Sequence, residues 1–221
     1  MYGSGLAFDG NDDYVDVGTF DVAGDAVTIL GWIKADSFDT DDARIFSKAT
    51  GVYEQDHFLM VSTRQKDGDM RLRLRLKAGG RTSTLVASSG DLPIGEWIHV
   101  AAVYDGAEMQ LYQDGTLVGS MPKSGAINGD DDVSVWIGNN PPSANSRAFD
   151  GVIDEVWLYD RALTAAEIQA VAIEDSTTPV ETATATPTAT ATPVPADTDT
   201  PVPADTTTAT ATATPTATET P

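Results

Sequence analysis

Four cationic side chains occupy alternate positions in one short segment. Residues 70–77 have the sequence MRLRLRLK, so a methionine and three leucines alternate with Arg71, Arg73, Arg75 and Lys77. Successive side chains of a β-strand point to opposite faces, so the segment predicts a strand with one apolar and one cationic face. Such a row of cations can bind an anionic glycan or an acidic patch on a neighbouring copy of the chain. The alternative is pairing with acidic residues on adjacent strands, each pair contributing about 0.2–1 kcal/mol.

The acidic segment 9–13, DGNDD, is a candidate for binding calcium. Calcium takes about six to eight oxygen ligands, which carboxylates and carbonyls supply. An EF-hand loop is excluded, because Tyr14 stands where its glycine belongs and Phe20 where its bidentate glutamate belongs. The alternative is a plain turn. Aspartate, asparagine and glycine tolerate the left-handed backbone conformation, and the side chains of aspartate and asparagine bond to the nearby backbone.

Nucleophilic catalysis finds no support in the residue types. The chain has no cysteine and two histidines, whereas such catalysis needs a nucleophile beside a base. His57 adjoins a loop, and we expect it at the surface. His99 lies in an apolar segment, where we expect it to pack in the core.

The charge of the chain restricts its partners. It has 13 lysines and arginines against 34 aspartates and glutamates, a formal net charge of −21 in 221 residues. Nucleic acids and anionic membranes require a cationic surface, so neither is an expected partner. No run approaches the ~20 apolar residues of a membrane span. The absence of cysteine excludes disulfides, but a domain of this size can close its core without them.

These residues must be positioned by strands, because alternation and turn signals run through the chain. Residues 27–33 are apolar on both faces, which predicts a central strand. Asp114-Gly115, between two alternating segments, predicts a two-residue type I′ hairpin turn.

The segment 149–168, FDGVIDEVWLYDRALTAAEI, predicts a strand followed by a short helix. Val152, Val156 and Leu158 occupy alternate positions and are expected on the core face. Thr164 and Glu167 have the spacing of a capping box, in which each side chain accepts a hydrogen bond from the backbone N–H of the other residue. The helix is therefore expected to begin just after Thr164.

Several of these segments together resemble laminin G-like domains, which have the concanavalin A-type jelly-roll fold. The resemblance rests on 149–168, on GLAFDG (5–10), on VTILGWIK (27–34), on WIHVA (97–101) and on LYQDGTL (111–117). It covers approximately residues 3–172. It implies an all-β domain over residues 1–175, a two-sheet antiparallel jelly-roll sandwich with one short C-terminal helix. A separate tail would then occupy residues 176–221.

The resemblance also bears on the acidic residues. The first and last strands of this fold are neighbours, which would bring Asp154, or Asp150, to the 9–13 segment. The candidate structural calcium site therefore consists of Asp9, Asp13 and Asp154, and the plain turn is the favoured alternative. Jelly-roll glucanases place their catalytic carboxylates as E-x-D-x-x-E on one strand. Asp150, Asp154 and Glu155 lack that spacing, so the chain is not expected to be an enzyme.

Two tryptophans fall at positions that alternation places outward, Trp136 in VSVWIG (133–138) and Trp157 in the closing strand. Amphipathic aromatic side chains are favoured both for stacking on sugars and for contacts between subunits. The family usually has a polar or basic residue at the place of Trp157. The alternative is that the rings are buried between the sheets or under a loop.

Residues 176–221 consist mainly of threonine, alanine and proline with a few acidic residues and three valines, and they contain repeats such as TATATP. No core can form from this composition, and the prolines favour an extended polyproline II conformation. Threonine with proline is typical of O-glycosylated stalks, which indicates an extracellular or cell-surface location. The threonines expected to carry O-glycans are Thr182, Thr184, Thr186, Thr188, Thr190, Thr192, Thr206, Thr208, Thr210, Thr212 and Thr214.

Two non-catalytic functions fit these observations. We favour an extracellular structural or adhesion protein, a glycosylated surface or fibre subunit that assembles through its jelly roll and tail, since contacts that do not close propagate into filaments. The alternative is a lectin-like carbohydrate-binding module on a glycosylated stalk. The expected partners are other copies of the chain and glycans, on the tail and as ligand.

Overall fold

In the computed structural model, residues 5–22, 24–141 and 144–177 are described, with side chains described up to residue 173. They form twelve strands, one 3-10 turn at Glu54–Asp56 and one α-helix, α1, at Ala165–Thr177. The strands are β1 Leu6–Asp9, β2 Val15–Thr19, β3 Val27–Ala35, β4 Arg44–Ala49, β5 His57–Lys66, β6 Asp69–Ala78, β7 Arg81–Val86, β8 Ile98–Tyr104, β9 Glu108–Gln113, β10 Thr116–Pro122, β11 Ser134–Ile137 and β12 Asp150–Tyr159.

The strands form two six-stranded sheets. One, here called the helix-side sheet, has the order β1-β12-β3-β8-β9-β10, and the other, the arginine sheet, has the order β2-β11-β4-β5-β6-β7. Neighbouring strands pair antiparallel throughout both sheets. The prediction of a two-sheet antiparallel jelly roll with one short helix is confirmed, as is the pairing of the first strand with the last.

The core lies between the sheets and is filled by the apolar faces that alternation predicted. Leu72, Leu74 and Leu76 of β6 are at most 2% exposed and belong to this core. They place Arg71, Arg73, Arg75 and Lys77 on the outer face of the arginine sheet, which confirms the predicted cationic face. In β3, Ile29 and Ile33 belong to the core.

The outer face of the helix-side sheet is partly covered by the chain after β12. Leu30 of β3 packs in a second apolar cluster with Leu163 and Ile168. The helix begins with the predicted capping box: Thr164 N donates to Glu167 Oε2 (2.8 Å), and Glu167 N donates to Thr164 Oγ1 (3.2 Å). The segment after β12 thus covers part of this face, centred on Leu30.

Two local features decide where side chains point. Asp114 and Gly115 have φ of 49° and 74°, which confirms the type I′ turn between β9 and β10. A β-bulge interrupts β12 between Asp154 and Trp157, and a bulge changes the face on which later residues lie. Val156 and Leu158 therefore pack on the core as predicted, whereas Ile153 does so before the bulge.

The prediction for Val152 was accordingly wrong. Val152 is only partly buried, and its neighbour Ile153 occupies the core position. The alternation of the sequence continues through Glu155, but the backbone does not, since Glu155 takes a φ of 49°.

Of the tail predicted at 176–221, only Ser176 and Thr177, the last two residues of α1, are among the described residues. All the threonines named for O-glycosylation lie outside them. The tail's conformation and modification stay predictions. Within the part of the chain that the structure describes, no helix is long and apolar enough to cross a membrane.

Candidate ligand-binding site

A recess of about 360 Å³ opens on the outer face of the arginine sheet. Strands β4, β5, β6 and β7 and the loops around residues 42, 53 and 145 provide its walls. Its lining, here called the arginine recess, consists of Asp42, Arg44, Val52, Glu54, Arg64, Arg73, Arg75, Thr84, Val86, Ala144 and Arg147. Five arginines and two carboxylates line it, in a protein whose net charge is −21.

The floor of the recess is a buried ionic cluster. Arg44 and Arg73 are each 3% exposed, and both form ion pairs with the same atom, Asp42 Oδ1. Ser62 Oγ donates to that oxygen as well, at 2.9 Å. Buried charges of this kind are tolerated only when they are paired and hydrogen-bonded. Asp42 therefore holds two guanidinium groups in fixed positions beneath the recess.

A buried asparagine fixes one of these arginines from behind. Arg44 Nε donates to Asn140 Oδ1 at 2.7 Å, and Asn140 Nδ2 donates to the carbonyls of Ala144 (3.0 Å) and Asn145 (2.9 Å). The backbone completes the arrangement, since Arg44 N donates to the carbonyl of Arg147 at 2.9 Å. Strand β4 and the loop around residue 145 are thus connected through the floor of the recess.

His57 lies between two arginines rather than at the surface. It is fully buried, so the expectation of a surface position was wrong. Its Nδ1 lies 2.8 Å from the carbonyl of Tyr53, and Arg44 Nη2 lies 3.3 Å from its Nε2. A neutral ring that donates from Nδ1 and accepts at Nε2 satisfies both contacts. Burial, together with the nearby charges of Arg44 and Arg75, lowers the pKa of His57 to about 4.

The rim of the recess carries the remaining charges. Arg64 pairs with Asp41 at 2.7 Å. Arg75 Nε donates to Thr84 Oγ1 at 3.2 Å, and Thr84 donates to Glu54 at 2.8 Å. No carboxylate of the described residues forms an ion pair with Arg75 or Arg147.

Electrostatic repulsion acts within the recess. Burial lowers the pKa of Arg44 to about 9, and repulsion from Arg75 and then Arg147 contributes to the same shift. The pKa of Arg73 is lowered to about 9 by burial and by the same two neighbours. Arg44 and Arg73 therefore stay protonated at neutral pH.

The predicted row of four cations divides in the structure. Arg71, at one end of β6, forms ion pairs with Asp69 of the same strand and with Asp91 after β7. It is thus neutralised by acidic neighbours, but not by residues on adjacent strands. At the other end, Lys77 Nζ lies 4.7 Å from the centre of the Phe58 ring. Only the middle pair, Arg73 and Arg75, lines the recess. Arg44, Arg147 and Asp42 were not anticipated, because they come from segments about 30 to 75 residues away in sequence.

The two outward tryptophans have different environments. Trp136 is 8% exposed, because Tyr14 stacks on its ring with centroids 3.6 Å apart and planes 1° apart. The alternative of burial under a neighbouring segment therefore describes Trp136. Trp157 is 57% exposed and lies on the helix-side sheet, away from the recess.

The carboxylates of Asp9, Asp12 and Asp13 lie within 4.8 Å of one another, all exposed. Asp9 N donates to Asp13 Oδ2 at 3.0 Å and Asn11 N donates to Asp9 Oδ1 at 2.9 Å, as in a turn held by its own side chains. Asp9 pairs with Asp150 across β1 and β12, whereas Asp154 lies at the other end of this pairing, beside Gly5. The structure thus brings Asp9 and Asp13 together without Asp154, and calcium binding stays a prediction.

A family model described as the concanavalin A-like lectin/glucanases superfamily matches residues 9–169. No curated protein sequence is significantly similar to the chain.

Three solved structures illustrate the likeness of fold. A heptameric SAP-like pentraxin from Limulus polyphemus is 23% identical, with a TM-score of 0.59 over 75% of this chain and 80% of the pentraxin. Domain 4 of AbnA, an extracellular arabinanase from Geobacillus stearothermophilus solved with arabinotriose, is 20% identical, with a TM-score of 0.57 over 75% of each chain. A proposed carbohydrate binding protein from Bacteroides ovatus is 19% identical, with a TM-score of 0.52 over 75% of this chain and 47% of that one.

Proposed function

The chain belongs to the concanavalin A-like lectin/glucanases superfamily, and we propose that it is a non-catalytic, lectin-like module that binds a carbohydrate in the arginine recess. The observation that carries the proposal is the recess itself. It is a concave site with several convergent polar groups, which is a typical feature of ligand-binding sites. The guanidinium groups of Arg44, Arg73 and Arg75 are held by Asp42, Asn140 and Thr84 before any ligand arrives, so these three need little ordering on binding.

The structural neighbours support a carbohydrate as the ligand class. One is a domain solved with arabinotriose, and another is a proposed carbohydrate binding protein. At identities of 20% and 19% they support the fold, and the recess has to supply the specificity.

The carboxylates of the recess fit binding better than hydrolysis. A glycosidase needs one carboxyl group that donates a proton and a second that acts as base or nucleophile. Asp42 is occupied by two arginines and a serine, and Glu54 accepts a hydrogen bond from Thr84. Neither group is positioned as a free proton donor, so we expect binding without turnover.

A second candidate is the role as a surface or fibre subunit in an extracellular setting. Trp157, 57% exposed on the helix-side sheet, is an aromatic side chain of the kind enriched in subunit contacts, and the similar pentraxin is heptameric. Sedimentation velocity of the chain and of a Trp157→Ala variant tests this role. A monomer at concentrations up to about 100 µM, well above the range of stable assemblies, would contradict it.

Glycan binding is tested with the labelled protein on a printed array that carries neutral, uronate-bearing and sulfated glycans. The best hit is then titrated by calorimetry against the chain, Arg75→Gln and Trp157→Ala. We expect Arg75→Gln to weaken binding at least about tenfold, as for loss of a charged hydrogen bond, and Trp157→Ala to bind normally. An array without any hit would contradict the proposed function. Release of shorter sugars from the hit would contradict the non-catalytic part.

A further inference from the structure

We infer that the carbohydrate bound in the arginine recess carries an oxyanion, a carboxylate or a sulfate group, and that Arg75 and Arg147 bind that group. This inference rests on the proposed function and specifies its ligand class. It is carried by the charges of the recess, by the burial of its floor and by the hydrogen-bond partners of each arginine.

The first step is the imbalance of charge. Five arginines and two carboxylates line the recess. Asp42 is shared by Arg44 and Arg73, and Arg64 has its own partner, Asp41. Within the described residues, no carboxylate pairs with the two remaining arginines, Arg75 and Arg147. Glu54, the second carboxylate of the lining, attracts Arg75 without forming an ion pair with it. Five arginines thus stand against three carboxylates, Asp41, Asp42 and Glu54, so the recess holds an excess of positive charge.

The second step is the position of that charge. Arg44 and Arg73 lie beneath the recess at 3% exposure, where interactions between charges are stronger than in water. Arg75 and Arg147 repel both of them. An anion placed between the rim and the floor would attract all four guanidinium groups at once and relieve this repulsion. A neutral sugar could not provide that gain.

The third step concerns how Arg75 and Arg147 are held in position. Arg75 is fixed at Nε by Thr84 (3.2 Å), and its Nη1 lies against His57 at 3.3 Å. Arg147 N donates to Asn139 Oδ1 at 2.7 Å, and its carbonyl accepts from Arg44 N. The guanidinium of Arg75 is therefore held in place, whereas Arg147 is fixed by its backbone beside Arg44 and extends an exposed side chain at the rim. The planar fork of a guanidinium matches a carboxylate or a sulfate.

The charge of the whole chain restricts the ligand further. A net charge of −21 repels a dense polyanion at long range, whereas the recess attracts a single anionic group at short range. The ligand class that fits both is a saccharide with isolated acidic groups rather than a nucleic acid. This restriction predicts weaker binding as successive sugars of a ligand become charged.

The test uses the best hit of the glycan array together with its matched neutral form, the carboxyl-reduced or desulfated sugar. We expect the acidic form to bind at least about tenfold more tightly than the neutral one, the factor typical of a charge-assisted hydrogen bond. Arg147→Gln should remove that advantage while changing the affinity for the neutral form less than about twofold. Arg71→Gln, which removes an arginine of the same strand that lies outside the recess and is already paired with Asp69 and Asp91, is the control and should keep the advantage.

The outcomes separate the inference from the proposed function. A hit that binds equally in its neutral form would overturn the inference and leave the proposed function standing, whereas no hit of any class would overturn both. Inorganic sulfate that displaces the glycan at the glycan's own concentration would overturn the assignment to a saccharide. The relative binding of uronate-bearing and sulfated glycans shows which oxyanion is preferred, and either preference supports the inference.

The stability of Arg147→Gln distinguishes a ligand-binding role of Arg147 from a structural role, because the two roles predict opposite changes in the urea midpoint. Replacing Arg147 by Gln removes repulsion from Arg44 and Arg73, so the urea midpoint of Arg147→Gln should equal or exceed that of the unmodified chain. A lower midpoint accompanied by lost binding of both the acidic and the neutral form would mean that Arg147 supports the fold rather than the ligand, which would overturn its assigned role.

Discussion

Replacing Asp42 by Asn should destabilise the domain far more than the same change at its neighbour Asp41. Asp42 forms ion pairs with Arg44 and Arg73, both 3% exposed, and accepts a hydrogen bond from Ser62. The substitution leaves two buried guanidinium groups without a carboxylate. Removing one partner of a buried ion pair costs about 3–5 kcal/mol, because the remaining charge stays desolvated and uncompensated.

The choice of asparagine isolates the charge from the backbone. Asp42 has a φ of 74°, a left-handed conformation that asparagine also tolerates. The side chains have the same shape, so the measured difference reports the lost charge. In a domain of this size, about 3–5 kcal/mol corresponds to a decrease in Tm of roughly 6–20 °C.

Asp41→Asn is the matched control. Its carboxylate pairs with Arg64 at 2.7 Å, but the two side chains are 54% and 43% exposed. Exposed pairs contribute about 0–1 kcal/mol, so this variant should lose at most a few degrees. Both variants change the net charge by the same amount, which removes the overall charge as an explanation.

Urea unfolding followed by tryptophan fluorescence, together with the thermal midpoint, measures both variants. Sulfate should raise the midpoint of Asp42→Asn more than that of the unmodified chain, because an anion can replace the missing carboxylate between the arginines. If Asp42→Asn and Asp41→Asn unfold at the same urea concentration, the buried ionic cluster does not exist as described, and the account of the recess is wrong.

Two further measurements address the fold and the buried histidine. Gly151→Ala should lose about 2–5 kcal/mol by urea unfolding, since φ is 137° and a Cβ would lie 2.1 Å from the carbonyl of Lys34; Gly68→Ala, also at positive φ but with open space around it, should lose only about 1–2 kcal/mol, and equal losses would contradict the close packing of β12 on β3. His57 has a pKa of about 4 when folded, below its ordinary value of 6.5, so the unfolded chain binds its proton first and stability should decrease as the pH falls from about 6.5 to 4, by up to about 3 kcal/mol. The free energy of unfolding measured across this range should fall less steeply for His57→Gln, and identical slopes would show that the ring is not held neutral.

The sequence was sufficient for the architecture because the signals involved are local. Alternation in 70–77 assigned the two faces of β6, Asp114-Gly115 set the hairpin turn, and Thr164 with Glu167 set the start of α1. Each of these depends on residues within a few positions of one another. Their energetics are fixed by backbone geometry that is the same in every protein. The resemblance to laminin G-like domains added the two-sheet jelly roll and the pairing of the first strand with the last.

Local signals failed where the backbone departs from regular geometry. The bulge at Glu155 changes the face of β12 and brought Ile153, rather than Val152, into the core. The burial of Trp136 depends on Tyr14, which lies more than 100 residues earlier and stacks on it. Alternation gives the side of a sheet on which a residue lies, but not whether another segment covers that side.

The arginine recess was decided by the tertiary structure alone. From sequence, the four cations of β6 were equivalent, whereas in the structure Arg71 is neutralised by Asp69 and Asp91, Arg73 is buried, and Arg75 remains available. Its other members, Asp42, Arg44 and Arg147, come from separate loops and strands that only the packing of the jelly roll brings together. The strength of a charge depends on its burial and on its partners, and both are properties of the folded chain rather than of any segment within it.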